Sequence, residues 1–140
     1  MAQSTPFQPT TVLIVENEAM VRLELVGRLT LMGFTALAAS DAAEAIVLLD
    51  TYPQIEILLT DIKMPGSMDG VRLAHHVRDR WPPVRILVVS GLLDFPPSQL
   101  PEGSIFLSKP CSPENMAAAL ALILKGADPR LPDLPANLRA

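Results

Sequence analysis

The sequence predicts an α/β protein: a parallel β-sheet with helices packed on both of its faces. Three observations predict it. Five short runs rich in β-branched or aliphatic residues recur along the chain, at 11–15, 34–38, 55–60, 85–89 and 105–107, and each is strand-sized. The segments between them place apolar residues at helical spacing. The strand runs themselves are continuously apolar over most of their length rather than alternating with polar residues, as happens when both faces of a parallel sheet are covered.

The first run, TVLIV, opens into a helix over Ala19 to Met32, in which Val21, Leu25, Leu29 and Met32 share one face while Arg22, Glu24 and Arg28 point away. Gly33 stands where a helix stop is needed. After the second strand, SDAAEA starts another helix. Asp41 and Glu44 there have the spacing of a capping box, and the helix runs to about Asp50. A third helix begins near Gly70 and ends before Pro82 and Pro83, since proline cannot continue it. The last helix takes Ser112 as its N-cap and Pro113 at its first position, and continues to Lys125.

With 140 residues and 49% hydrophobic content, the chain suits one globular domain with its own core. Residues 1–9 read as a flexible N-terminal segment, 10–125 as the domain, and 126–140 as an extended, proline-spaced tail. About 15 residues after the last helix are too few for an output domain, so a stand-alone module is expected. A net charge of -4 and a pI near 5.0 lack the basic face of a nucleic-acid binder, so no direct nucleic-acid contact is expected. The single cysteine, Cys111, has no partner for a disulfide and fits a reducing compartment. MAQSTPFQPT carries no signal-peptide pattern, and no apolar run approaches the ~20 residues of a spanning helix. The expectation is a cytoplasmic protein without membrane attachment.

In an open parallel sheet the functional crevice lies at the carboxyl ends of the strands. Standing there are Glu16, Asn17 and Glu18 after the first strand, Asp61 after the third, Ser90 after the fourth and Lys109 after the fifth. Each has an ordinary reading alone. Asp61 could be a turn or cap aspartate, Lys109 a solvated lysine, Ser90 a strand-end serine, and Glu18 a first-turn acid at the positive end of a helix. Together they suggest more. Carboxylates from two adjacent strand ends repel unless a cation lies between them, and hard oxygen ligands with room for water suit Mg²⁺. A divalent ion beside a nucleophilic carboxylate is an arrangement for accepting a phosphoryl group. Lys109 could contact a phosphoryl oxygen as a compact positive charge, and Ser90 could donate its hydroxyl to the same oxygens.

Four motifs in order, VLIVENE, LLTDIKMPGSMDG, ILVVSG and FLSKP, make the chain resemble a receiver domain of a two-component response regulator, over roughly Thr10 to Lys125. The resemblance implies a flavodoxin-like five-stranded sheet of order 2-1-3-4-5. It also implies Mg²⁺-dependent phosphoryl transfer from a histidine kinase or a histidine phosphotransfer protein to an aspartate. On this sequence, Asp61 is the implied phosphoacceptor, and Glu16 and Asn17 fall at the acidic-pair positions. The Lys63 backbone carbonyl falls where the family supplies a metal ligand, Ser90 is the switch hydroxyl, Lys109 is the phosphoryl-contacting lysine, and Phe106 occupies the aromatic switch position.

The chain departs from the family in three places. Asn17 stands where most receivers carry an acid, which removes a negative charge and implies weaker Mg²⁺ binding; Glu18 could compensate by swinging in. Pro96, Pro97 and Pro101 interrupt the interval before the last strand, so the usual fourth helix is expected to be shortened or missing. PGSMDG is one residue longer than the usual loop, implying only a loop adjustment. The reading is a single-domain response regulator that signals through a downstream protein partner and turns over no external substrate. The last helix, apolar almost all round, leaves an outer face for solvent, a partner or a homodimer. His75 and His76, adjacent on a helix, read as surface or half-buried residues rather than ligands. Two alternatives stay open: a pseudo-receiver that binds without phosphorylation, and an aspartyl-phosphate hydrolase. The hydrolase is disfavoured because Asp61 is followed by Ile62 and Lys63 rather than by a DxD acid.

Overall fold

The computed structural model describes residues 9–66, 68–92 and 94–125. Apart from Pro9, the two expected terminal segments lie outside the described residues. The elements run β1 (Thr11–Val15), α1 (Ala19–Leu31), β2 (Thr35–Ala39), α2 (Ala42–Thr51), β3 (Ile55–Thr60), α3 (Gly70–Arg80), β4 (Arg85–Ser90), β5 (Ile105–Ser108) and α4 (Pro113–Lys125). All strand pairs are parallel, in the order β2-β1-β3-β4-β5. This is the flavodoxin-like sheet that the alternation and the motifs lead one to expect.

Because successive strand residues point to opposite faces, β1 divides its side chains between two cores. Leu13 and Val15 join Leu58, Leu73 and Val77 on one face of the sheet. Val12 and Ile14 join Leu25, Leu29, Met116 and Leu120 on the other. Helices α2 and α3 thus cover one side, and α1 and α4 the other. β1 is buried at every position, and β3 and β4 at every position but Glu56 and Arg85, which is why their sequences carry no regular polar alternation.

Local chemistry sets the helix ends. At the end of α1, Gly33 takes φ +98°, and its N–H donates to the Thr30 carbonyl at 3.0 Å while that of Phe34 donates to Leu29 at 3.0 Å. This pair of bonds closes the helix, and it draws Phe34 out of β2, which begins one residue later than the apolar run suggests. Asp41 accepts the Glu44 N–H at 2.9 Å, and the Glu44 carboxylate reaches back to the Ser40 N–H at 2.7 Å. Ser112 caps α4 through the Asn115 N–H at 3.0 Å. Along α4, Met116, Ala119, Leu120 and Ile123 are buried, whereas Ala117, Ala118, Ala121 and Leu124 face outward.

Among the described residues between β4 and β5, only a 3-10 turn forms, at Pro97–Gln99. Proline lacks the N–H that a helical ladder uses, so the segment attaches through side chains instead. Leu100 is buried, Phe95 stacks on Phe106 with ring centroids 5.4 Å apart, and His75 Nε2 on α3 lies 2.6 Å from the Gln99 carbonyl. His75 is exposed and His76 half-buried. Among the described residues, no helix is long and apolar enough to cross a membrane.

In α1, Leu25 and Leu29 are buried and Val21 and Met32 half-buried, as the amphipathic spacing requires. Arg22 corrects the sequence reading. It does not point away but folds back over the β1–α1 connection, because unpaired carbonyl oxygens there offer it acceptors.

A β-carbon at Gly33 would be strained at its positive φ. Gly33→Ala is therefore expected to lower stability by roughly 1 kcal/mol, read as a shifted urea midpoint with an unchanged slope.

Candidate functional site

At the carboxyl end of β1, Glu16 is 2% exposed. Its N–H donates to the Ala39 carbonyl of β2 at 3.1 Å, and its Oε2 accepts the Glu18 N–H at 3.0 Å. Its Oε1 faces Lys109 Nζ at 3.5 Å. Glu18 occupies the N-cap position of α1 rather than its first turn, and its side chain makes no capping hydrogen bond. Asn17 is exposed, and none of the described residues hydrogen-bonds its carboxamide.

The end of β3 is held from three sides. The Asp61 N–H donates to the Val15 carbonyl at 3.2 Å, which ties this residue to the end of β1. The Thr60 hydroxyl donates to the Asp61 carbonyl at 2.8 Å. Gly70 opens α3 against the same backbone, its N–H donating to the Ile62 carbonyl at 2.8 Å. A β-carbon at Gly70 would run into the Asp61 carbonyl oxygen and come within 2.8 Å of the Ile62 Cα. The Asp61 side chain is oriented by the Ile62 N–H, 2.6 Å from Oδ1, and by Lys109 Nζ, 2.9 Å from Oδ2.

Lys109 follows β5, its N–H donating to the Ser90 carbonyl at 2.9 Å, and the Lys109–Pro110 peptide is cis. Burial on its own would lower the Lys109 pKa. The hydrogen bond to Asp61, with the charges of Asp61 and Glu16, outweighs it and holds the ammonium above its ordinary value. Ser90 is 1% exposed, and its Oγ accepts the Leu92 N–H at 3.2 Å. Phe106 is buried against Phe95. Burial pushes the Cys111 thiol pKa up, against the nearby charges of Arg28 and Lys109.

The structure thus brings Glu16, Asp61 and Lys109 together, in a hollow of about 470 Å³ that Leu25, Arg28 and Cys111 also line. Asn17 and Lys63 border an adjoining cleft of about 620 Å³ with Met64, Pro65 and Leu92. Lys109 Nζ shows that the two carboxylates can serve one cation. Among the described residues no three His, Cys, Asp or Glu side chains converge. A divalent ion here would complete its shell from the Asn17 carboxamide, the Lys63 carbonyl and water, and that all-oxygen donor set fits Mg²⁺.

Sequence reasoning missed Arg22, Thr60, Gly70 and Phe95. Only Gly70 had a signal, a glycine directly after an N-cap aspartate at the start of α3.

The chain belongs to the response regulator receiver domain family, whose model matches residues 12–121. Phosphorylation and Mg²⁺ binding are typical of that family, which acts in two-component signalling. Its relatives include the sensor kinase CckA of Brucella abortus, 32% identical over 122 residues, which cover 84% of this chain and 13% of that protein. The probable transcriptional regulator ycf27 of Porphyra purpurea is 30% identical over 124 residues, covering 86% of this chain and 50% of that protein. The chain spans half or less of the length of both relatives. Among solved structures, a response regulator receiver protein from Sinorhizobium medicae superposes with a TM-score of 0.78 at 29% identity, covering 84% of this chain and 96% of the other. The receiver domain of the hybrid histidine kinase CckA gives 0.68 at 29% identity, covering 81% and 98%.

Gly70→Ala is expected to cost roughly 2 kcal/mol, since its collision is with backbone that cannot rotate away; chemical denaturation reads it. With its carboxylate partners ionised, the raised Lys109 pKa makes the ion pair stabilising up to pH 10.5, and the contribution is lost as pH rises through the higher folded value. An NMR titration of the Lys109 side chain should accordingly show a midpoint above 10.5.

Proposed function

We propose that Asp61 accepts a phosphoryl group from a histidine kinase or a histidine phosphotransfer protein, and that the domain, residues 10–125, signals the result by protein–protein contact. The observation that carries this reading is the 2.9 Å contact of Lys109 Nζ with Asp61 Oδ2, made beside a second buried carboxylate. An Asp61 carboxylate oxygen attacks phosphorus, the new O–P bond forms, and the bond to the donor imidazole nitrogen breaks, its electron pair returning to the ring. Bound Mg²⁺ supplies positive charge that neutralises the phosphoryl oxygens. Glu16, Asn17, Asp61 and the Lys63 carbonyl would hold that ion.

Lys109 then exchanges its carboxylate partner for a phosphoryl oxygen, which costs little because the ammonium is already in place. The Ser90 hydroxyl, whose lone pair is engaged by the Leu92 N–H, keeps its own hydrogen free for the same phosphoryl group. Phe106 lies two positions upstream of the end of β5 and, through Phe95, connects that strand to the Pro97–Gln99 segment. A switch at Ser90 and Phe106 therefore acts on that segment. The apolar outer face of α4 offers a surface for a downstream partner or a second copy. No acid stands two residues after Asp61 to activate water, so the site serves as an acceptor rather than turning over an external substrate. A cytoplasmic setting belongs to this reading, supported by the lone cysteine, Cys111.

A second reading, an interaction module working without phosphorylation, draws on Asn17, which lies outside the charged cluster. Incubation with acetyl phosphate and Mg²⁺ separates the two. Intact mass should show one added phosphoryl group on the wild type, none on Asp61→Ala, and none when Mg²⁺ is chelated. Equal behaviour of wild type and Asp61→Ala would sink the phosphoacceptor reading. Asn17→Asp restores a charge to the site and should tighten Mg²⁺ binding by roughly fivefold, measured calorimetrically.

A further inference from the structure

The geometry points to Arg22 as a positioning residue that holds the Glu16–Asn17 turn in its metal-binding shape. The inference rests on the phosphoacceptor reading above. Arg22 lies in the first turn of α1, half-buried, with its N–H on the Glu18 carbonyl at 2.9 Å. From there its guanidinium reaches back six residues to donate to the Glu16 carbonyl at 2.8 Å, and it lies 3.5 Å from the Asn17 carbonyl.

A full hydrogen-bond accounting of Glu16 shows what this contact adds. Its N–H is taken by Ala39, its Oε2 by the Glu18 N–H and its Oε1 by Lys109, which leaves the carbonyl of this buried residue to Arg22. Three of those partners belong to the β2 strand end, the α1 cap and the charged cluster. Among the described residues, Arg22 alone donates to the carbonyl of the peptide between Glu16 and Asn17. The plane of that peptide decides where the Asn17 side chain starts, and among the described residues nothing else holds its carboxamide. A neutral ligand cannot be drawn to Mg²⁺ by its own charge, so its backbone has to present it.

The sign of the effect makes the inference testable. A guanidinium near the site repels a divalent cation, so on electrostatics alone its removal strengthens Mg²⁺ binding, and a charge-conserving change does nothing. Positioning predicts the opposite. Mg²⁺ affinity of the full chain is measured calorimetrically for wild type, Arg22→Gln and Arg22→Lys, with amide hydrogen exchange recorded in metal-free protein. Arg22→Gln should weaken Mg²⁺ binding by about tenfold, as loss of a ligand-orienting partner does. Arg22→Lys should weaken it by a smaller factor, since an ammonium keeps the charge but not the reach and planar geometry with which Nη1 meets the Glu16 carbonyl. In both variants exchange at the Glu18 amide should quicken while the Gly70 amide keeps its protection, which shows the fold intact. An Arg22→Lys protein that binds Mg²⁺ as tightly as wild type, or an Arg22→Gln protein that binds it more tightly, overturns the assignment. A wild-type chain that binds no Mg²⁺ overturns the site reading itself, and this inference with it.

Discussion

The ion pair of Lys109 with Asp61 and Glu16 is the interaction on which the arrangement of the sheet turns. Two carboxylates at the ends of neighbouring strands repel each other, and shielding from water strengthens the repulsion. A parallel sheet of this order places β1 beside β3, so the conflict is built into the topology. Lys109 relieves it from 48 residues beyond Asp61 and 93 beyond Glu16. The bond from its own N–H to the Ser90 carbonyl fixes where β5 ends against β4, so the register of an edge strand and the electrostatics of the centre are one constraint.

The same cluster is supported by backbone contacts that bring three elements within touching distance. Asp61 is tied to Val15, and Gly70 lies so close to the Asp61 carbonyl that no side chain fits between them. The first residue of α3 is thereby fixed against the two residues that follow β3, Asp61 and Ile62. Movement of Asp61 relative to α3 is restricted, and in the loop that follows, Gly66 takes φ +99°, a conformation that glycine adopts without strain.

Much of this was legible in the sequence. Strand runs buried on both faces have no other way to look, and β1 and β3 begin and end where their apolar runs do. The polar strand ends announced Glu16, Asp61, Ser90 and Lys109, because a charged residue closing an apolar strand needs a partner. Arg22 escaped notice for a physical reason: a helical wheel places a side chain relative to the sheet beneath it, and Arg22 turns along the helix axis to a loop the wheel does not contain. Thr60 donates to its neighbour's carbonyl, a contact that depends on one χ1 angle. Phe95 follows a turn in which Asp94 takes φ +60°, and no periodicity leads from there to a ring stacked on Phe106.

The missing helix between β4 and β5 alters more than shape. A helix offers a binding partner a row of side chains while its backbone is spent on itself. Here Pro96, Pro97 and Pro101 donate no N–H and hold their φ angles near one value. Chain of that kind has little conformational freedom left to lose on association, so a protein that reads this face meets carbonyl oxygens and the rings of Pro96 and Pro97 already set in place, with Pro101 buried beneath, at a smaller entropic cost than an ordinary loop would demand.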